Sequence, residues 1–392
     1  MNRDRLDRMR RRLAEQRLDV LVLRLPENIL LLSGYWPLNG LSYLAFPAEA
    51  RPMCIVPAPE AAEAEAELWD ADIAAYPAGV LGAGDPYEAI GAALGKAQQG
   101  RRWSRIGFEG NFETMAPPWN SAEPLAPAAQ SRALLGEAFG GRELVDATDL
   151  LYAERAVKTG YELERLRRVN EIAAMGLEAF TRNVRPGVSG VELAAEVEST
   201  VMVRGSGSKG AVRVRAYAQV ATGASETAVG YRPMEITTTR KLEPGDPALL
   251  ELAVVADGYW SDRTRVRTAG EPSVRQKEIF DLVVSAQEAA VSAVRAGASV
   301  GEVDEAARSI LREAGLGDAF VHVTGHGIGF RYHEPVPLIA PGGAEVLSAG
   351  MVHTVEPGVY SPDFGGFRVE DDVAVTASGC EVLGPFGKEL AP

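Results

Sequence analysis

The spacing of apolar positions changes several times along the chain, and each change predicts an element. Leu6, Met9 and Leu13 recur at helical spacing and predict a helix over 4–17. Leu18 to Leu25 is a short, mostly apolar run of strand length, closed by Pro26-Glu27-Asn28. Residues 52–57 and 105–108 read as further short strands. The Ala/Glu-rich stretch 60–70 reads as a solvated helix face. Residues 114–130, rich in Pro, Ala and Asn, read as irregular structure.

A second pattern follows. Lys158 to Arg182 predicts a long helix. Three later helix starts carry S-x-x-E/Q pairs: Ser189/Glu192, Ser273/Gln276 and Ser299/Glu302. In such a box each side chain satisfies a backbone N–H that the first turn leaves open. Gly315 is a good stop for the third of these helices. Strand-like runs lie at 211–221, 247–256, 259–268, 318–324, 350–357 and 367–376. The prediction is a smaller mixed α/β domain over 1–152, then an α+β domain over 153–392 with helices on a mostly antiparallel sheet.

Composition narrows the function. Lys+Arg number 40 against 54 Asp+Glu, a net charge of −14. That balance argues against nucleic-acid binding, which needs a cationic face. No run approaches the ~20 apolar residues of a membrane span, and residues 1–12 hold no apolar signal core. A cytoplasmic protein with no membrane partner is the expectation. Cys54 and Cys380 are the only cysteines, too few for a disulfide framework or a cysteine zinc site. The four histidines, His322, His326, His333 and His353, all fall in one short stretch, so imidazole chemistry must use it.

Asp257-Gly258 is a strong two-residue hairpin turn. It pairs Ala256 with Tyr259, Ala253 with Asp262 and Glu251 with Thr264. Side chains alternate with period two, so Glu251 and Asp262 share a face as diagonal neighbours, roughly 7–8 Å apart at the backbone. Converging carboxylates repel unless a cation or proton lies between them. Taken alone, the pair also fits the solvent edge of a hairpin. His326 lies between glycines, whose small size permits close approach to the imidazole. Glu356 ends a strand at Pro357-Gly358, and Glu370 lies in Phe367-Arg-Val-Glu-Asp-Asp372. Glu251, Asp262, His326, Glu356 and Glu370 together make one imidazole and four carboxylates. That set suits a divalent Mn, Co, Fe or Zn ion and is large enough to bridge two.

These segments resemble the metallopeptidases of the pita-bread fold, a family that includes methionine aminopeptidase, aminopeptidase P and prolidase, with creatinase as a non-peptidase relative. The resemblance rests on Asp257-Gly-Tyr-Trp-Ser-Asp-Arg-Thr-Arg265, Gly325-His-Gly-Ile-Gly329, His333-Glu-Pro335, Val355-Glu-Pro-Gly358 and Arg368-Val-Glu-Asp371, in that order and spacing. Leu23 to Tyr35 resembles the N-terminal domain of the prolidase and creatinase branch. Glu154 to Lys158 resembles the stretch that opens its catalytic domain. The resemblance implies two metal ions, most often manganese, and a homodimer acting on small peptides. It implies that Asp262, His326, Glu356 and Glu370 are ligands, with Glu356 also taking a proton from the attacking water. His333 is implied to contact the substrate or its tetrahedral intermediate, His322 to lie on the substrate side, and Arg368 to contact substrate or support a ligand.

Two departures matter. The family's first aspartate ligand is Glu251 here, although the eleven-residue spacing to Asp262 is retained. Glutamate keeps the charge but adds a methylene. The peptidases also carry a histidine upstream of that ligand, whereas this chain has none before His322; Gly230-Tyr231 stands in its place. Glu226, Tyr231 or Arg232 are the candidate substitutes, an arginine favouring a substrate carboxylate. Three readings follow: a metal-dependent Xaa-Pro peptidase, a creatinase-like C–N hydrolase or lyase for a small non-peptide substrate, with or without metal, and a binding protein that keeps the pocket.

Overall fold

The protein is described by a computed structural model covering residues 1–37, 41–78, 82–110, 128–232 and 237–391. Most of the irregular stretch expected at 114–130 lies outside these residues. The chain divides into two compact units, Met1–Arg155 and Ala156–Pro392.

In the first unit the elements run α1 (Arg3–Gln16), β1 (Val20–Leu23), α2 (Pro26–Ser33), β2 (Tyr43–Pro47), β3 (Met53–Pro57), α3 (Ala61–Glu67), β4 (Asp72–Tyr76), α4 (Pro86–Ala97), β5 (Arg105–Phe108), α5 (Ala128–Ala138), β6 (Glu143–Asp146) and α6 (Thr148–Ala156). The strands form one mixed sheet in the order β4-β3-β2-β1-β5-β6. Val20, Val22, Ile55 and Ile106 of the sheet pack with Ile90 and Leu94 of α4 and Leu134 of α5. Each such fully buried aliphatic side chain contributes about 1.5–3 kcal/mol relative to exposure.

The second unit continues with α7 (Gly160–Asn183), α8 (Gly190–Gly205), β7 (Val214–Thr222), α9 (Gly223–Thr227), β8 (Pro247–Ala256), β9 (Tyr259–Thr268), α10 (Val274–Ala293) and α11 (Val300–Glu313). Then come β10 (Gly325–Gly327), β11 (Glu334–Ile339), β12 (Val352–Val355), β13 (Gly358–Ser361), β14 (Gly365–Arg368), β15 (Asp371–Val375) and β16 (Cys380–Val382). All three expected capping boxes form, and a fourth, Thr159/Glu162, starts α7. Every strand pairing in this unit is antiparallel. The sheet is not single, however. The orders are β7-β8-β9, β11-β10-β12-β15-β16 and the ribbon β13-β14.

Two expected strands are corrected. Residues 318–324 form a 3₁₀ turn (Gly317–Ala319) and an irregular segment, and the strand begins only at Gly325. The backbone carbonyls of Phe320 and His322 accept from the Arg308 guanidinium instead of a neighbouring strand. The run 367–376 is broken at Val369-Glu370, where the chain leaves the ribbon of β14 for the larger sheet through β15. Among the described residues no helix is long and apolar enough to cross a membrane.

Candidate functional site

The register of the β8–β9 hairpin is set locally, by its turn. Asp257 and Gly258 have φ of 50° and 86°, the left-handed pair that a tight hairpin turn requires. Glu251 pairs with Thr264 and Ala253 with Asp262, so the two carboxylates share a face as expected. β10 brings His326 opposite this face. The glycines beside it serve strand packing, not access to the imidazole: a Cβ on Gly325 would lie 2.0 Å from the Thr354 carbonyl oxygen, and one on Gly327 2.3 Å from that of Val336. Glu356 follows β12 directly, and Glu370 occupies the break between β14 and β15.

The side chains converge. His326 Nδ1 is 2.9 Å from the Gly327 carbonyl, which can only accept, so Nδ1 carries a proton and Nε2 is the ring nitrogen turned to the carboxylates. That Nε2 lies 3.5 Å from Asp262 Oδ2 and 3.5 Å from Glu356 Oε1. Ligand atoms of His326, Glu356 and Glu370 all lie within 4.8 Å of one another, as do those of Asp262, His326 and His333. The Thr264 hydroxyl donates to Glu370 Oε2 at 2.6 Å, and the Thr354 hydroxyl donates to Glu356 Oε1 at 3.1 Å. Such partners fix ligand orientation.

Electrostatics mark the same place. Burial, with the charges of Glu251 and Glu356 added, pushes the Asp262 carboxyl well above its ordinary range. Burial and the charges of Asp262 and Glu356 do the same to Glu370. Asp262 Oδ1, Glu370 Oε1 and His333 Nδ1 are buried without a hydrogen-bond partner among the described residues. Buried polar atoms are rarely left so. Oxygen and imidazole donors left open, on carboxylates that repel one another, fit a divalent cation.

The remaining expected residues surround this core. His333 stacks on His326 with ring centroids 4.0 Å apart. Burial, with His326 and Arg368 nearby, pushes its pKa down to about 2, so it is neutral. His322 stands apart from the ligand cluster. Its Nδ1 lies 2.8 Å from the Val323 carbonyl, which leaves Nε2 to accept from the Tyr360 hydroxyl at 3.1 Å. Arg368 is buried and fully engaged. Its Nη2 donates to Glu251 Oε2 at 2.7 Å, Nη1 to the Tyr360 hydroxyl at 3.0 Å and Nε to the Thr264 hydroxyl at 3.0 Å. Tyr231 packs edge-on against Tyr360 at 5.0 Å, and the exposed Arg232 lies over the Tyr231 ring at 5.2 Å. Glu226 is spent locally, accepting from Thr222 and Thr238.

Sequence reasoning missed Tyr332, whose hydroxyl donates to Glu251 Oε1 at 2.7 Å. It also missed Tyr360 and Thr354. Thr264 was within reach, since the register that aligns Glu251 with Asp262 places Thr264 on the same face.

Comparison with known proteins identifies the family. Residues 164–377 match the model of metallopeptidase family M24, and residues 5–157 match the creatinase/prolidase N-terminal domain. The Xaa-Pro dipeptidase of Pyrococcus furiosus is 33% identical over 249 residues, 64% of this chain and 69% of that protein. The Xaa-Pro dipeptidase of Lactobacillus delbrueckii subsp. lactis is 29% identical over 387 residues, 98% of each chain. Among solved structures, the Xaa-Pro dipeptidase from Bacillus anthracis superposes with a TM-score of 0.81 at 28% identity, covering 100% of this chain and 99% of that one. The chain therefore belongs to metallopeptidase family M24, its catalytic domain preceded by a creatinase/prolidase-type domain.

Proposed function

We propose that the protein is an Xaa-Pro peptidase that hydrolyses the amide bond before proline in short peptides, with manganese as the working ion. Asp262, His326, Glu356 and Glu370 would hold the ion. When bound, a divalent cation lowers the pKa of water and polarises a carbonyl oxygen. The observation that carries the reading is the graded burial of the carboxylates. Among the carboxylates assigned to the ion, the Glu356 side chain keeps 13% exposure, against 3% for Asp262 and 1% for Glu370, while Glu251, at 15%, is bonded to Tyr332 and Arg368. Glu356 is thus a ligand carboxylate that solvent and substrate can reach, and it takes the proton of the attacking water and passes it to the departing amine.

His333, neutral and beside that centre, donates to the oxygen on which charge grows as the carbonyl becomes tetrahedral. Arg368 acts on Glu251 and Tyr360, and through Tyr360 it aligns His322. Tyr231 and Arg232 stand roughly where the resemblance implies an upstream histidine that this chain lacks, and Arg232 is suited to the free carboxylate of a dipeptide.

Manganese-loaded protein is expected to cleave Xaa-Pro dipeptides, to stop on chelation and to recover on add-back. Cleavage that survives complete chelation would sink the metal-dependent reading. Turnover confined to small amidines, betaines or sulfonium compounds would favour the non-peptide alternative. A His333→Ala variant is expected to lose about 10²–10³ in kcat with little change in KM, because its bond strengthens only as charge develops. An equal loss through KM alone would place His333 in ground-state binding.

A further inference from the structure

The resemblance implies two ions and puts Glu251 at the position of its first aspartate ligand. The geometry at Glu251 points elsewhere. One oxygen, Oε1, accepts from the Tyr332 hydroxyl and the other, Oε2, accepts from the Arg368 guanidinium, both at 2.7 Å. Neither close group of ligand atoms includes Glu251, and both include His326.

Tyr332 is held there firmly. It is 5% exposed, and its ring packs edge-on to His333 at 4.4 Å and against Trp260 at 6.0 Å. Arg368 reinforces the arrangement, since its Nε also lies 4.0 Å from Glu370 Oε2. A second cation would have to compete with the guanidinium for Glu251 and with the phenol proton for the oxygen facing it.

We propose that this chain holds a single divalent ion, centred on His326, and that Tyr332 closes the Glu251 side of the site to a second. The proposal rests on the metal-centre reading above and changes only its stoichiometry. The probe is manganese alone, titrated into chelator-stripped protein. Bound metal per chain is read by elemental analysis, and spin coupling is read by electron paramagnetic resonance.

Wild type is expected to take up one ion with an uncoupled single-ion spectrum. Tyr332→Phe, which keeps the ring and removes the donor, is expected to take up two with a coupled spectrum. Two coupled ions in wild type would overturn the proposal and leave the peptidase reading standing. One ion in both proteins would overturn the role of Tyr332. No binding by wild type would overturn the metal-centre reading itself, and the proposal with it.

Discussion

Replacing Glu356 by glutamine is expected to lower kcat on an Xaa-Pro dipeptide by about 10³, within the 10²–10⁴ range of a positioned general base. That loss corresponds to about 4 kcal/mol of transition-state stabilisation. Glutamine keeps the length of the side chain and a carbonyl oxygen that can still accept from the Thr354 hydroxyl, whose bond now runs to Glu356 Oε1 at 3.1 Å. It cannot accept the water proton. The backbone of residue 356 is fixed independently, since its N–H donates to the Thr324 carbonyl at 2.8 Å. The variant should therefore keep the fold. Glu356→Ala removes base and ligand together and is expected to lose at least as much kcat and also to weaken metal uptake. The pair separates the two roles, provided metal content is measured beside turnover. A glutamine variant with metal bound and near-wild-type kcat would remove Glu356 from proton transfer.

Which parts of this site were legible in the sequence follows from the range of the interactions that build them. The hairpin of β8 and β9 was legible in full, because Asp-Gly selects the turn and the turn fixes the register. From that register Glu251 and Asp262 fall on one face without further information. Helix starts were legible for the same reason, since a capping box closes within four residues. Residues 318–324 were misread because their composition suits a strand, while Arg308, on the preceding helix, takes the carbonyls that a strand would have used. The glycines around His326 were read as permitting close approach to the imidazole, and the structure corrects that reading. What approaches is neighbouring backbone, which only the sheet order β11-β10-β12 reveals. The destination of Arg368 was not legible either. It sits two residues from Glu370, yet it spans to Glu251 on a different strand, because the chain breaks between β14 and β15.

The same period-two rule, carried one step further, exposes the support beneath the site. If Asp262 and Thr264 face the ligands, Arg263 and Arg265 must face the opposite way, into the core. Both are buried there, and both place Nη2 2.7 Å from Asp371 Oδ1. Gln287 donates to the other oxygen at 3.1 Å. Burial pushes the Asp371 pKa up, but the guanidinium groups of Arg265 and Arg263 outweigh it and hold the carboxyl below its ordinary value. Its contribution is thus present above about pH 4 and lost as acid protonates it.

Asp371→Ala would leave two buried guanidinium groups without their shared counter-charge. Removing one partner from a buried ionic group costs about 3–5 kcal/mol, and that is the expected loss in denaturant unfolding of the second unit. The effect should reach the metal centre, because Asp371 follows Glu370 directly and Arg265 Nη1 donates to the Glu370 carbonyl at 2.7 Å. Weakened manganese uptake is therefore expected alongside the lost stability. Asp371→Asn keeps the shape and removes the charge, so it should retain the packing and lose the part of the stabilisation that depends on ionisation. If alanine cost less than about 1 kcal/mol, the carbonyls of Leu383, Gly384, Phe386 and Gly387, which also accept from these arginines, would be sufficient to hold them.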